Sequence, residues 1–245
     1  MLVISLVSSK GGCGKSTLAT NLGVQAARFG LGPLIIDLDP QATAWSWGQR
    51  REATLGKGSM PQVVASQAPA LPQLLQQARE QGCGLVILDT PPRADTVGVQ
   101  AAQVSDLVLV PCQPSDYDLS ALSASMVAAQ IARKTAYVVL NGAIQSSGIT
   151  DAVEKALIDG GADMVPARVG LRMDFRHPLP SGRGAFEWGA RGQAAAEIDA
   201  LWNWICQQDG MAALQQATEA ARQQSSMPAS QQSRRAAKQR KAIAA

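Results

Sequence analysis

Short apolar runs alternate along this chain with longer stretches in which apolar residues recur every three or four positions. The first pattern is that of strands buried on both faces, the second that of helices packing one face. Leu2–Val7 predicts a strand, and Ser16–Phe29 a helix carrying Leu18, Leu22, Val24 and Ala26, stopped by Gly30. Further strands are predicted at Leu34–Ile36, ending at Asp37; more weakly at Gln62–Ala65; at Leu85–Leu88, ending at Asp89; at Leu107–Val110, ending at Pro111; and at Ala136–Leu140, ending at Asn141. Helices are predicted at Leu71–Gln81, Leu119–Arg133, Thr150–Ile158 and Ala194–Gln207, the last with Ile198, Leu201, Trp202 and Ile205 as a core stripe. Strands that alternate with helices imply an α/β fold, a doubly wound and mostly parallel sheet flanked by helices.

Composition refines this picture. At 245 residues the chain accommodates one large domain with an appendage. The pattern places the domain at 1–210 and a flexible Ala/Gln-rich, then basic tail at 211–245. Hydrophobic content of 46% suffices for a core, and aromatic content of 4% makes that core aliphatic. The net charge of +3 hides an asymmetry. From Met211 onward, Arg222, Arg234, Arg235, Lys238, Arg240 and Lys241 face one acid, Glu219, whereas 16 basic and 18 acidic residues precede them. The 4 cysteines are scattered and His177 is the lone histidine, which argues against a zinc site. Reduced thiols, with neither a signal segment nor an apolar run of 18 residues, lead us to expect a cytoplasmic protein without stable membrane insertion.

The chemistry gathers at predicted strand ends, where ligands sit in open α/β sheets. Lys10-Gly11-Gly12-Cys13-Gly14-Lys15-Ser16-Thr17 follows the first strand and reads as a phosphate-binding loop opening a helix. Its glycines let backbone N–H groups close around a phosphate, Lys15 reaches the terminal phosphates, and Ser16 supplies a hydroxyl for Mg²⁺. The loop departs from the common G-x-x-x-x-G-K-[ST] pattern, with Ser9 at the first glycine position and an additional lysine, Lys10. The second strand ends in Asp37-Leu38-Asp39-Pro40-Gln41, and the Leu85–Leu88 strand in Asp89-Thr90-Pro91-Pro92. An aspartate after a buried strand is the expected holder of a metal-bound water.

These motifs resemble the ParA/MinD family of deviant Walker A ATPases. The Pro111–Ser115 stretch with Asp118 is similar to its small ParF-like partition members, and Gly182, Phe186-Glu187 and Gly192 extend the resemblance over residues 1–207. The resemblance implies ATP and Mg²⁺ as ligands. It makes Lys10, Lys15 and Asp39 the catalytic set. Lys10 would reach across a homodimer to the partner's nucleotide, Lys15 would neutralise the β- and γ-phosphates, and Asp39 would orient the attacking water. Gly11, Gly12, Cys13, Gly14 and Thr17 would complete the phosphate cradle. Ser16, Asp37 and Asp89 would form the metal shell. Asn141, with Pro166 nearby, is the candidate adenine reader.

Arg168, Arg172, Arg176, Arg183 and Arg191 lie close together in sequence with few acids nearby. In this family such a region suggests non-specific DNA binding by the ATP-bound dimer, driven by phosphate contacts. The expected partners are therefore a second copy, nucleoid DNA and a ParB-like or cargo-adaptor protein that stimulates slow hydrolysis. The implied function is segregation or positioning of a cargo, either a plasmid or chromosome partition complex or a protein body such as a carboxysome or chemoreceptor cluster. A MinD-like membrane switch is the alternative. It would need an amphipathic C-terminal helix, and Met211–Gln224 offers only Met211 and Leu214 as large apolar residues. A reductase like the nitrogenase iron protein would need paired cluster cysteines, a pattern that Cys83 and Cys112 do not match.

Overall fold

The computed structural model describes residues 1–92, 96–114, 116–144 and 147–226. Ser115 and the basic residues from Arg234 to Lys241 lie outside the described residues. The strands are β1 (Leu2–Leu6), β2 (Leu34–Asp37), β3 (Gln62–Ala65), β4 (Leu85–Asp89), β5 (Leu107–Cys112), β6 (Ala136–Ala143), β7 (Asp163–Met164) and β8 (Val169–Gly170). The helices are α1 (Lys15–Arg28), α2 (Thr43–Leu55), α3 (Leu71–Glu80), α4 (Thr96–Gln103), α5 (Asp116–Ile131), α6 (Gly148–Asp159), α7 (Ala185–Trp188), α8 (Gln193–Cys206) and α9 (Ala212–Ser226).

The strands form a parallel sheet in the order β3-β2-β4-β1-β5-β6-β7, with β8 paired to β6. Side chains on a strand alternate between faces, and here each face has its own helices to cover it. Ile4, Leu6, Leu85, Ile87, Leu107, Leu109 and Val139 point to one face and pack with residues of α1, α2, α8 and α9. Val3, Val86 and Leu88 pack with α3 on the other face, where Val108, Val110, Val138 and Leu140 meet α5 and α6. This double coverage is why the strands read as continuous apolar runs rather than as alternating ones.

Register fixes where the strands stop. Leu6 and Asp37 both pair with Asp89, so β1, β2 and β4 end at one level. The Thr90 hydroxyl donates to the Leu6 carbonyl at 2.8 Å, and the Leu38 amide to the Asp89 carbonyl at 2.8 Å, which holds the three ends together.

The region after residue 210 differs from the expected loose tail over its described part. Met211 and Leu214 are fully buried in the core, and the Trp202 Nε1–H donates to the Thr218 hydroxyl at 2.9 Å. Two large apolar residues suffice because α8 already presents a broad apolar face. No helix among the described residues is long and apolar enough to cross a membrane. Leu214→Ala is expected to lower stability by about 2–4 kcal/mol through loss of buried methylenes and the cavity left behind. Urea unfolding checks this, and a change below about 0.5 kcal/mol would mean that α9 does not belong to the core.

Candidate functional site

The loop between β1 and α1 is shaped by its glycines and held by side chains from neighbouring strands. Gly14 caps α1 with φ of 93°, in the left-handed region that favours glycine. A Cβ there would lie 1.9 Å from Asn141 Nδ2, so space as well as conformation demands glycine. Asn141, near the end of β6, donates Nδ2–H to the Cys13 carbonyl at 2.6 Å. Gln113, one residue past β5, donates Nε2–H to the Gly12 carbonyl at 3.0 Å. The first turn of α1 contains no acidic residue, so its positive end is left for an anion. Lys15 is buried, and its ammonium donates to the Lys10 carbonyl at 3.3 Å, which places Nζ within the curl of the loop.

Asp89 is the unusual group. It is fully buried, and neither carboxylate oxygen meets a donor in hydrogen-bonding geometry. Burial pushes its pKa up to about 7; the nearby Ser16 hydroxyl opposes that shift and the Asp37 charge adds to it. A buried carboxylate without a donor is costly, and a cation beside Ser16 and Asp89 would remove that cost. Among the described residues no group of three His, Cys, Asp or Glu side chains could hold a metal alone. Mg²⁺ retains waters and binds through few protein oxygens together with substrate phosphates, so one hydroxyl and one buried carboxylate match its needs. Ser16 and Asp89 therefore fit the implied ion.

Asp37, the third residue expected in the metal shell, also accepts hydrogen bonds from the backbone. It is also buried, and burial raises its pKa against the opposing pull of backbone donors. Its Oδ1 accepts the Asp39 N–H at 3.0 Å and its Oδ2 the Trp45 N–H at 2.9 Å, which ties the loop before α2 to the end of β2. Asp39 is partly exposed, and its Oδ1 accepts the Gln41 N–H at 2.9 Å. A cleft of about 710 Å³ opens beside Asp39, walled by Pro40, Pro69, Pro91 and Pro92.

The structure thus gathers the loop, Lys10, Lys15, Ser16, Asp37, Asp39, Asp89 and Asn141 at the ends of adjacent strands. Asn141 is engaged as a brace for the loop, and Pro166 stands exposed between β7 and β8. The arginines divide. Arg176 and Arg191 are exposed and Arg183 is partly so. Arg168 pairs with Asp151 at 2.8 Å and with Glu154, and Arg172 grips Glu197 through Nε and Nη2 at 2.9 and 2.6 Å. Neither is the unpaired charge that spacing alone suggests, because its partners lie 14 to 25 positions away. Sequence reasoning also missed the bracing roles of Gln113 and Asn21. The Asn21 Nδ2–H donates to the Thr17 carbonyl at 2.8 Å, and only its position one turn after Thr17 hints at this.

Residues 4–222 match the model of the CobQ/CobB/MinD/ParA nucleotide binding domain. The chain is 29% identical over 211 residues to maintenance of carboxysome distribution protein A of Gloeobacter kilaueensis, covering 84% of this chain and 93% of that protein. It is 26% identical over 232 residues to protein ParA of Rhizobium radiobacter, covering 91% and 100%. An ATP complex of Cyanothece McdA superposes with a TM-score of 0.68 at 16% identity, over 84% of this chain and 96% of that one, a likeness of fold.

The Asp89 shift has a consequence for the nucleotide-free protein. Its pKa is near 7 when folded and 3.8 ordinarily, so between these values the folded chain holds a proton that the unfolded chain has released. Stability attributable to Asp89 therefore falls as pH rises through that window. Asp89→Asn should remove a loss on the order of 2–3 kcal/mol between about pH 5 and pH 8. Urea midpoints of both proteins at the two pH values check this, and equal slopes would contradict it.

Proposed function

The chain belongs to the CobQ/CobB/MinD/ParA nucleotide-binding family, and from that premise we propose that it is a ParA-like ATPase that positions a cargo. The observation that carries the reading is the meeting of a two-lysine phosphate loop with Asp39 and the donorless carboxylate of Asp89 at adjoining strand ends. Mg²⁺, when bound, would supply positive charge that offsets the charge on the nucleotide's phosphates, and Ser16 and Asp89 would hold it. The chain's own residues do the rest. Lys15, already within the curl of the loop, neutralises the terminal phosphates, while Ser16 and Asp89 hold the ion and its water. Asp39 orients the attacking water, and the cleft beside it leaves room for a stimulating adaptor to reach that carboxylate. Lys10 extends to the nucleotide of a second copy, so two chains enclose two ATP molecules. Thr17 binds the α-phosphate.

In this reading the ATP-bound dimer lies on nucleoid DNA through Arg176, Arg183 and Arg191, the arginines whose charges are not taken up by the carboxylates that hold Arg168 and Arg172. The relatives named for maintenance of carboxysome distribution favour a protein body as cargo, and those named ParA a partition complex. The membrane-switch alternative ranks lower because Met211 and Leu214 are buried and unavailable to lipid.

Lys15→Ala should abolish ATP binding, read by titration with a fluorescent ATP analogue. Lys10→Ala should keep that binding yet lower hydrolysis by roughly 10-fold or more, as loss of a cation supplied in trans would. Wild-type turnover in Lys10→Ala would refute the cross-dimer role. Arg176→Ala together with Arg191→Ala should reduce the slope of log affinity against log salt for non-specific DNA by about 2 in the presence of ATP. An unchanged slope would move the DNA surface elsewhere.

A further inference from the structure

Helix α2 joins two regions that the ATPase reading uses separately. Its start hangs from the nucleotide side. Asp37 accepts the Trp45 and Asp39 N–H groups, and Ala42, just before the helix, holds a left-handed φ of 51°. The other half of α2 grips the arginine-bearing segment. Trp47 Nε1–H donates to the Arg183 carbonyl at 3.2 Å, and Arg50 Nε–H to the Leu179 carbonyl at 2.9 Å. Arg51 is buried, and its Nη1 donates to the Gly182 carbonyl at 2.9 Å. The same guanidinium meets both Glu187 oxygens at 2.7 and 2.8 Å, and its Nε–H donates to the Met60 carbonyl at 2.8 Å.

Steric fit leaves the joint no slack. Gly182 sits at φ of 61°, and a Cβ on it would lie 2.1 Å from the Arg51 backbone nitrogen. A second tie runs from α1, whose Asn21 Oδ1 accepts the Ala185 N–H at 2.8 Å. Residues 179–187 are therefore fastened both to the helix that begins in the phosphate loop and to the helix hung from Asp37. Bidentate and main-chain hydrogen bonds are directional and fix their partners in register, in addition to the close packing around them. At 1.5 Å per residue, the 13 residues of α2 span about 20 Å, so a tilt at one end displaces the other.

We infer that α2 is a coupling rod between nucleotide and effector surface. Movement of the Asp37–Trp45 loop as Asp39 and its neighbours engage a nucleotide passes through Trp47, Arg50 and Arg51 to residues 179–187. It re-aims Arg183 and the flanking Arg176 and Arg191. Trp47, Arg50 and Arg51 are positioning residues in this scheme. The inference rests on the nucleotide reading above, but it does not require that the effector be DNA.

Hydrogen–deuterium exchange on the full chain tests it, with and without Mg²⁺ and a non-hydrolysable ATP analogue. In the wild type the analogue should slow exchange in both 10–17 and 179–189, by about 10-fold. Arg50→Met and Trp47→Phe keep most of the apolar bulk while each removes one donor to the segment. In them the loop should remain protected and the response at 179–189 should fall to about 3-fold or less. Arg51→Lys should give the largest loss, and the two milder variants carry the test if it fails to fold. A wild-type response at 179–189 in the milder variants overturns the coupling, as does a wild-type segment that ignores the analogue while the loop is protected. An unprotected loop in the wild type would refute the nucleotide reading itself, and the coupling with it.

Discussion

Asp37 and Asp89 stand side by side in the register of two adjoining parallel strands, both buried. Two carboxylates so close in a medium of low polarity cannot both be charged without a large cost. The fold resolves this unequally. Asp37 is given backbone donors from the loop that leads to α2, while Asp89 has no backbone donor and burial, only partly opposed by the Ser16 hydroxyl, pushes its pKa up to about 7. Lys15, buried in the curl of the adjoining loop, is the cation whose charge acts on Asp89, and it only partly offsets the burial. The pair thus defines a place where Lys15 alone does not balance the negative charge, beside the phosphate loop and the start of α1, which favour an anion. On the proposed reading, a nucleotide and its cation would satisfy both needs at once.

Much of this is legible in the sequence because it is local or strictly periodic. Strands buried on both faces appear as apolar runs, and the aspartates that end them follow directly. The loop is contiguous, so its glycines and lysines declare their chemistry without tertiary information. What stays hidden depends on distant partners. Helix α2 gives no periodic signal, since its buried side consists of Ala44, Trp47, Gly48 and Arg51, a mixture that hydropathy scores as neither face. Gly48 is there because a Cβ would meet Val63 at 2.7 Å, and Arg51 because four main-chain and carboxylate acceptors surround it. The short strands β7 and β8 have 2 residues each, too few for any period to show.

The arginines illustrate the same limit. Five of them near one another in sequence look like one basic surface. Folding pairs Arg168 with α6 acids and Arg172 with Glu197 of α8, and Arg172 thereby shares Glu197 with the Gly170 amide. These two stabilise the end of the sheet, and the remaining three sit on or beside the segment that α2 holds. These three, exposed or partly exposed, therefore lie on or beside the segment to which α2 is hydrogen-bonded. If α2 transmits nucleotide binding as proposed, nucleotide chemistry and partner binding would be two ends of one arrangement rather than separate modules.

On this reading the second lysine makes the ATP-bound state a two-chain state. The most direct measurement is the mass of the full chain by multi-angle light scattering, with Mg²⁺ and a non-hydrolysable ATP analogue or with ADP. Twice the 25.6 kDa chain mass is expected with the analogue, and the single-chain mass with ADP. A single-chain mass under both conditions, at concentrations where the analogue is bound, would contradict it.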